Sequence, residues 1–179
     1  MEDKYRRRIY SISPYNPAWP GRFLQLQQVV GDIFKNTEIE HVGSTSIPGM
    51  SGKDCIDVMV IVEDIALVDD IHVSAMEAAG FSYAGQVHSA ETRMFRLMDE
   101  GKVHSNVHVF ERNSPHAIKM IRLRDYMRKR PDEVHAYSKL KIELYEKFAT
   151  DYKSYRKYKD EYVQQLMERV NESYDHRIV

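Results

Sequence analysis

The sequence predicts a mixed α/β domain with a mostly antiparallel sheet, helices packed on one face of that sheet, and a helical cap at the C-terminal end. Three observations carry this. Residues 55–62, CIDVMVIV, are an apolar and strongly β-branched run, as in a strand buried on both faces. Residues 93–98 and 106–110 read as two strands joined by a hairpin turn at Glu100 and Gly101. After Ser114-Pro115 the pattern turns helical, with apolar residues three and four apart as far as Val170.

The elements follow in order. Residues 8–13 make a short strand through Ile9, Tyr10 and Ile12. Asn16 and Pro17 suit the N-cap and first position of a helix whose inner stripe is Phe23, Leu26, Val30 and Phe34. Residues 38–42 form a strand ended by Gly43. A helix over 65–79 places Val68, Ile71, Ala75 and Ala79 on one side and closes at Gly80. Residues 81–83 form a further strand. The cap holds three helices: 115–130, one opened by Pro131 with the stripe Val134, Tyr137, Leu140, Leu144 and Phe148, and one from about Asp151 carrying Tyr155, Tyr162, Leu166 and Val170. Residues 1–113 are therefore expected as the α/β core and 114–179 as an extension packed on it.

Composition narrows the function. Lys and Arg total 26 against 27 acids, so no nucleic-acid partner is expected, because such binders are usually basic. The single cysteine, Cys55, rules out an internal disulfide framework and suits a cytoplasmic setting. No apolar run reaches the roughly 20 residues needed to cross a bilayer, so no membrane partner is expected. The segment MEDKYRRR lacks the apolar stretch of a secretory signal.

The chemistry concentrates at residues 40–62. Gly43-Ser44-Thr45 follows a strand, and such a turn offers N–H groups and hydroxyls to a phosphate. It lacks the Gly-Lys-Ser/Thr of a Walker A loop. Asp57 lies within the apolar strand and shares a face with Cys55 and Met59. A two-metal site would place a second acid at position 59, where the chain has methionine. Three roles stay open for Asp57: one Mg²⁺ held through water, an ion pair with Lys53, or a general base. On the hairpin, Asn106 and His108 turn away from the core side that takes Val107 and Val109. His41, His104 and His108 are candidates to meet as a metal or anion site, with phosphate or carboxylate favoured over zinc. Arg124 and Asp125 fall inside the apolar arc of their helix, so they form an internal ion pair or contact a ligand.

Five segments, YNPAWP at 15–20, EHVGSTSIPG at 40–49, KDCID at 53–57, VHVFE at 107–111 and LRDYM at 123–127, resemble the GrpB family in sequence and in order. The resemblance implies a nucleotidyltransferase-like fold. It implies that Gly43 and Ser44 hold nucleotide phosphate and that Asp57 is the first acid of a Mg²⁺-binding pair, with Met59 at the second place. The expected ligand is a nucleotide or another phosphorylated small molecule. His41, Gly43, Ser44, Thr45, Lys53, Arg124 and Asp125 are its binding residues, Asp57 and His108 the catalytic pair, and nucleotidyl or phosphoryl transfer the reaction. GrpB-like domains also occur fused to dephospho-coenzyme A kinase. That implies an alternative: a non-catalytic accessory or folding module with a protein partner.

Overall fold

A computed structural model describes residues 10–87 and 91–175. Five strands form one mixed sheet: β1 (Glu38–Val42), β2 (Ile56–Val62), β3 (Phe81–Gly85), β4 (Thr92–Asp99) and β5 (Lys102–Glu111). Their spatial order is β1-β2-β5-β4-β3, with β2 and β5 parallel and the other pairs antiparallel. The helices are α1 (Trp19–Ile33), α2 (Asp70–Ala78), α3 (Pro115–Arg128), α4 (Pro131–Phe148) and α5 (Tyr152–Asp175).

The alternation of β2 sends Ile56, Val58, Val60 and Val62 to one side, where Trp19, Phe23, Val30, Phe34 and Met76 of the α1–α2 layer cover them. Met59 and Ile61 go to the other side and pack with Val42, Phe110 and Ala117 under α3. The α1–α2 layer thus covers one face of β2, and the first helix of the C-terminal cap covers the other. Asp57 follows Met59's side of the alternation but lies at the end of the strand, beyond the apolar cover. A third apolar cluster, built on Ile47, Met50, Tyr126, Val134, Tyr137 and Leu166, joins α3, α4 and α5 to the turn after β1.

Three local expectations are corrected. Helix α1 begins at Trp19, two residues late: the Asn16 side chain accepts from the Ala18 N–H (2.9 Å) in a turn ahead of the helix, and Pro20 takes the first-turn role given to Pro17. The 65–79 helix splits into a 3₁₀ turn (Ile65–Leu67) and α2, because the Asp69 carboxylate accepts from the N–H groups of Ile71 and His72 and starts a new helix there. That break rotates Ile71 into solvent and turns Met76 inward. Of the 8–13 strand, only a bridge from Ser13 to Gly52 forms among the described residues. Arg8, Ile9 and the MEDKYRRR segment lie outside them. No helix of the described residues is long and apolar enough to cross a membrane.

Candidate functional site

The site begins at the end of β1. Gly43 adopts φ +73° and ψ −174°, a conformation that essentially only glycine tolerates. It also has no room for a side chain, since a Cβ would stand 2.3 Å from the Asp57 Oδ2. Glycine lets the turn lie directly against the strand acid. The next residues, Ser44–Ser46, make one 3₁₀ turn closed by the Ser46 hydroxyl donating to the Gly43 carbonyl (2.7 Å). Arg128 of α3 donates twice to the Ser46 carbonyl (3.0 and 2.8 Å) and pins the turn to the cap. On its far side Gly52 approaches so closely that a Cβ there would lie 2.9 Å from the Ser44 Cβ.

Asp57 Oδ1 accepts from the Asn106 amide (2.7 Å) and faces the His108 Nε2 at 3.5 Å. Burial alone would raise this acid's pKa. The His108 hydrogen bond and charge, the Asn106 amide and Lys53 outweigh it, and the carboxyl is held below its ordinary value. Asp57 is therefore an anion whose Oδ1 is occupied by its neighbours and whose Oδ2 points toward Gly43.

A cleft of about 350 Å³ opens in front of this turn. Gly43, Ser44, Lys53, Asp57 and Arg124 line it, five of the residues singled out from the sequence. The remaining walls come from α3, α4 and α5, with Leu123, Tyr137, Lys141, Tyr152, Tyr155, Arg156, Lys159 and Asp160, the last paired with both Arg156 (3.2 Å) and Lys159 (2.7 Å). Lys141 is 2% exposed. Its amine donates to the Ser44 Oγ (3.0 Å) and to the Ser51 carbonyl. Burial first, and then the charges of Lys159 and Lys53, bring its pKa down to about 7. Lys53 donates to the Tyr152 hydroxyl (3.0 Å) over the tyrosine ring.

The other predicted residues sit elsewhere. His41 pairs in register with Val58, so its ring lies on the α1 side of the sheet, stacked on Phe23 with 4.6 Å between centroids. Its Nε2 and the Thr45 Oγ1 bond each other at 2.9 Å, and Thr45 is 1% exposed. Both side chains serve the base of the turn, not the cleft wall. His108 is buried behind Asp57, so it contacts the acid rather than the cavity. His41, His104 and His108 do not converge, because His41 is on the opposite face of the sheet. Among the described residues, no three His, Cys, Asp or Glu side chains gather to hold a metal. Asp125 takes the Arg124 Nε (2.8 Å), while Arg124 Nη1 bonds Glu40 and the His41 carbonyl (3.0 Å). This is the internal ion-pair option, tying the cap to β1.

The sequence reading missed Lys141, Arg156 and Lys159. Lys141 had a signal: it lies four residues after Tyr137 and three before Leu144, a charge on the apolar stripe of its helix. A second groove, of about 750 Å³, lies between the Pro48-Gly49 turn and α4. Its charged side chains, among them Arg128, Lys139, Glu143 and Glu146, are of both signs, and it does not reach the turn–acid pair.

A mixed sheet with a Gly-Ser turn set against a strand acid defines a nucleotidyltransferase-like fold. The structure of the Cid1 poly(U) polymerase bound to MgGTP shares it, with a TM-score of 0.51 over 76% of this chain and 44% of that one, at 11% identity, a likeness of fold alone. The chain belongs to the GrpB family: the family model described as GrpB protein matches residues 10–169. The crystal structure of GrpB from Enterococcus faecalis superposes with a TM-score of 0.85 over 92% of this chain and 99% of that one, at 29% identity. A UPF0157 protein of Halalkalibacterium halodurans is 29% identical over 165 residues, 90% of this chain and 82% of that protein. A shorter stretch, 39% of this chain, is 33% identical to 18% of a dephospho-CoA kinase of Mycolicibacterium paratuberculosis.

Proposed function

We propose that the cleft binds the phosphate of a nucleotide or other small phosphorylated molecule in the cytoplasm. The observation that carries this reading is a buried lysine amine held against the Gly-Ser turn in a cleft of about 350 Å³ lined by further basic side chains. Among the described residues Lys141 pairs with neutral oxygens of Ser44 and Ser51 and with no carboxylate, in a cleft that Lys53, Arg156 and Lys159 also line. A buried cation without a carboxylate partner favours an anion. In this reading Gly43 and Ser44 hold the phosphate, Lys53 supplies charge, the Lys141 amine fixes the Ser44 hydroxyl, and Arg124 braces the wall. His108 and Asn106 hold Asp57 in place.

The donors do not fit a pair of metal ions. Met59 is fully buried under α3 at the place a second carboxylate would need, and Asp57 Oδ1 already accepts from Asn106. They do fit a single Mg²⁺ that keeps most of its waters, takes one oxygen from Asp57, and fills its shell from a bound phosphate. Such an ion would neutralise phosphate charge.

The test is a thermal-shift panel of nucleotides and sugar phosphates, with and without Mg²⁺. A true ligand at one hundred times Kd stabilises by about 2.7 kcal/mol. Lys53→Ala should weaken that shift. A panel in which no phosphate compound moves the melting temperature contradicts the reading. Met59 at the second acid position favours a different reading, a non-catalytic accessory module, whose mark would be phosphate binding without turnover.

A further inference from the structure

The Lys141–Ser44 contact has a second chemical meaning. Ser44 is half-buried and lines the cleft, so its hydroxyl is open to a bound molecule. The Lys141 amine lies 3.0 Å from that oxygen and is aimed by the Ser51 carbonyl behind it. A nucleophile, a base within hydrogen-bond reach and a third group orienting the base are the three parts of an activated serine. A lysine serves as the base only when it is neutral, and this one is buried against the Tyr137 ring with Lys53 and Lys159 adding their charge.

We propose that Ser44 is a nucleophile with Lys141 as its general base, and that the pair takes the phosphoryl group of a small phosphomonoester onto the Ser44 hydroxyl. The proposal rests on the phosphate-binding reading above. The charge of the cleft selects this electrophile: Lys53 has no carboxylate against it among the described residues, and Arg156 and Lys159 share the acid Asp160, so positive charge is left over that an uncharged acyl group would not use. In the first half, the Ser44 Oγ–phosphorus bond forms as the bond from phosphorus to the ester oxygen breaks. The Ser44 proton passes to the Lys141 Nζ and then to the leaving oxygen. In the second half, water adds at phosphorus and gives a proton to Lys141. The Oγ–phosphorus bond breaks, Lys141 returns that proton to Ser44, and inorganic phosphate leaves. No other reactant is needed.

The experiment incubates the intact protein with p-nitrophenyl phosphate and follows p-nitrophenolate release and the mass of the protein. The expected result is a burst of release with one phosphoryl group mapped to Ser44. The rate should climb as pH rises through about 7, where Lys141 loses its proton. The charged and titratable groups around it that shape this profile are Lys53, Asp57, Tyr137, Arg156, Lys159 and Asp160. Ser44→Ala and Lys141→Met should lower the rate by about a hundredfold to ten-thousandfold. Added ethylamine should restore part of the activity of Lys141→Ala, which a merely structural lysine would not allow. Wild-type protein that never carries phosphate on Ser44, or Lys141→Met that melts normally and turns over unchanged, overturns the dyad. If nucleotides still shift the melting temperature in that case, phosphate binding survives without it.

Discussion

The Asp57 carboxylate occupies the space that a side chain on residue 43 would need, with its Oδ2 2.3 Å from the missing Cβ. Turn and acid are therefore one unit, and Gly43→Ala should damage both. The left-handed backbone at φ +73° alone costs about 1–3 kcal/mol for a residue with a side chain, and the clash adds to it. Denaturant unfolding of Gly43→Ala should show a loss at the upper end of that range. Combining it with Asp57→Ala should recover the clash but not the backbone part.

Arg124 should be the most costly cap residue to remove. It is 8% exposed and holds Glu40, Asp125 and the His41 carbonyl at once. Breaking a buried pair by deleting one partner costs about 3–5 kcal/mol. Glu40 and Asp125 are each about a third exposed, so water screens part of the loss. Arg124→Met should therefore lose about 2–4 kcal/mol in urea unfolding. Arg124→Lys should recover little, since an ammonium cannot reproduce the fork.

Stability should rise with pH across two separate windows. Burial, with the charges of Arg128 and Arg124 adding to it and Asp57 opposing, lowers His41 from 6.5 to about 4. Lys141 falls from 10.5 to about 7. Both folded values lie below the unfolded ones, so the unfolded chain binds more protons within each window. The His41 contribution is complete above about 6.5 and is lost as pH falls toward about 4. The Lys141 contribution is complete only near 10.5 and is lost as pH falls toward about 7. Unfolding free energies measured across pH should show both rises. Lys141→Met should flatten the upper one and leave the lower intact. Cys55, whose thiol burial raises from 9.0, works the other way above 9, and Tyr10, raised to about 12 chiefly by burial, does so above 10, so the upper window is best read below 9.

Asp57→Asn separates charge from shape. The substitution keeps the Asn106 contact available and removes the negative charge from the cleft. Phosphate affinity without Mg²⁺ should rise severalfold, and any gain from added Mg²⁺ should disappear. Calorimetric titration of the variant and the parent, each with and without the ion, checks both parts.

Much of this was legible from the chain. The β2 alternation alone placed Asp57 with Met59 and away from Val58, and the hairpin pattern put Asn106 and His108 on the matching side, because side-chain period is a local property. The proline starts at Pro115 and Pro131 hold, although the Ser114 side chain expected as a cap makes no cap hydrogen bond. The misplaced helix starts at Trp19 and Asp70 came from local side-chain caps, while the misread parts of the site depended on pairing. His41 is near Ser44 in sequence, but its register with Val58 sends it through to the α1 face. The Lys141–Ser44 contact joins residues 97 apart. The sequence shows a charge on an apolar stripe but not what it meets.

The central claim is that the Gly43-Ser44 turn and Lys141 form an anion seat. Its most direct test is a crystal structure of this protein soaked with a nucleotide. The account predicts phosphate density in the cleft against the Gly43-Ser44 turn, within hydrogen-bond reach of the Ser44 hydroxyl and close to Lys53. Density only in the outer groove beside Pro48 and Glu143, or none with the cleft fully open, would contradict it.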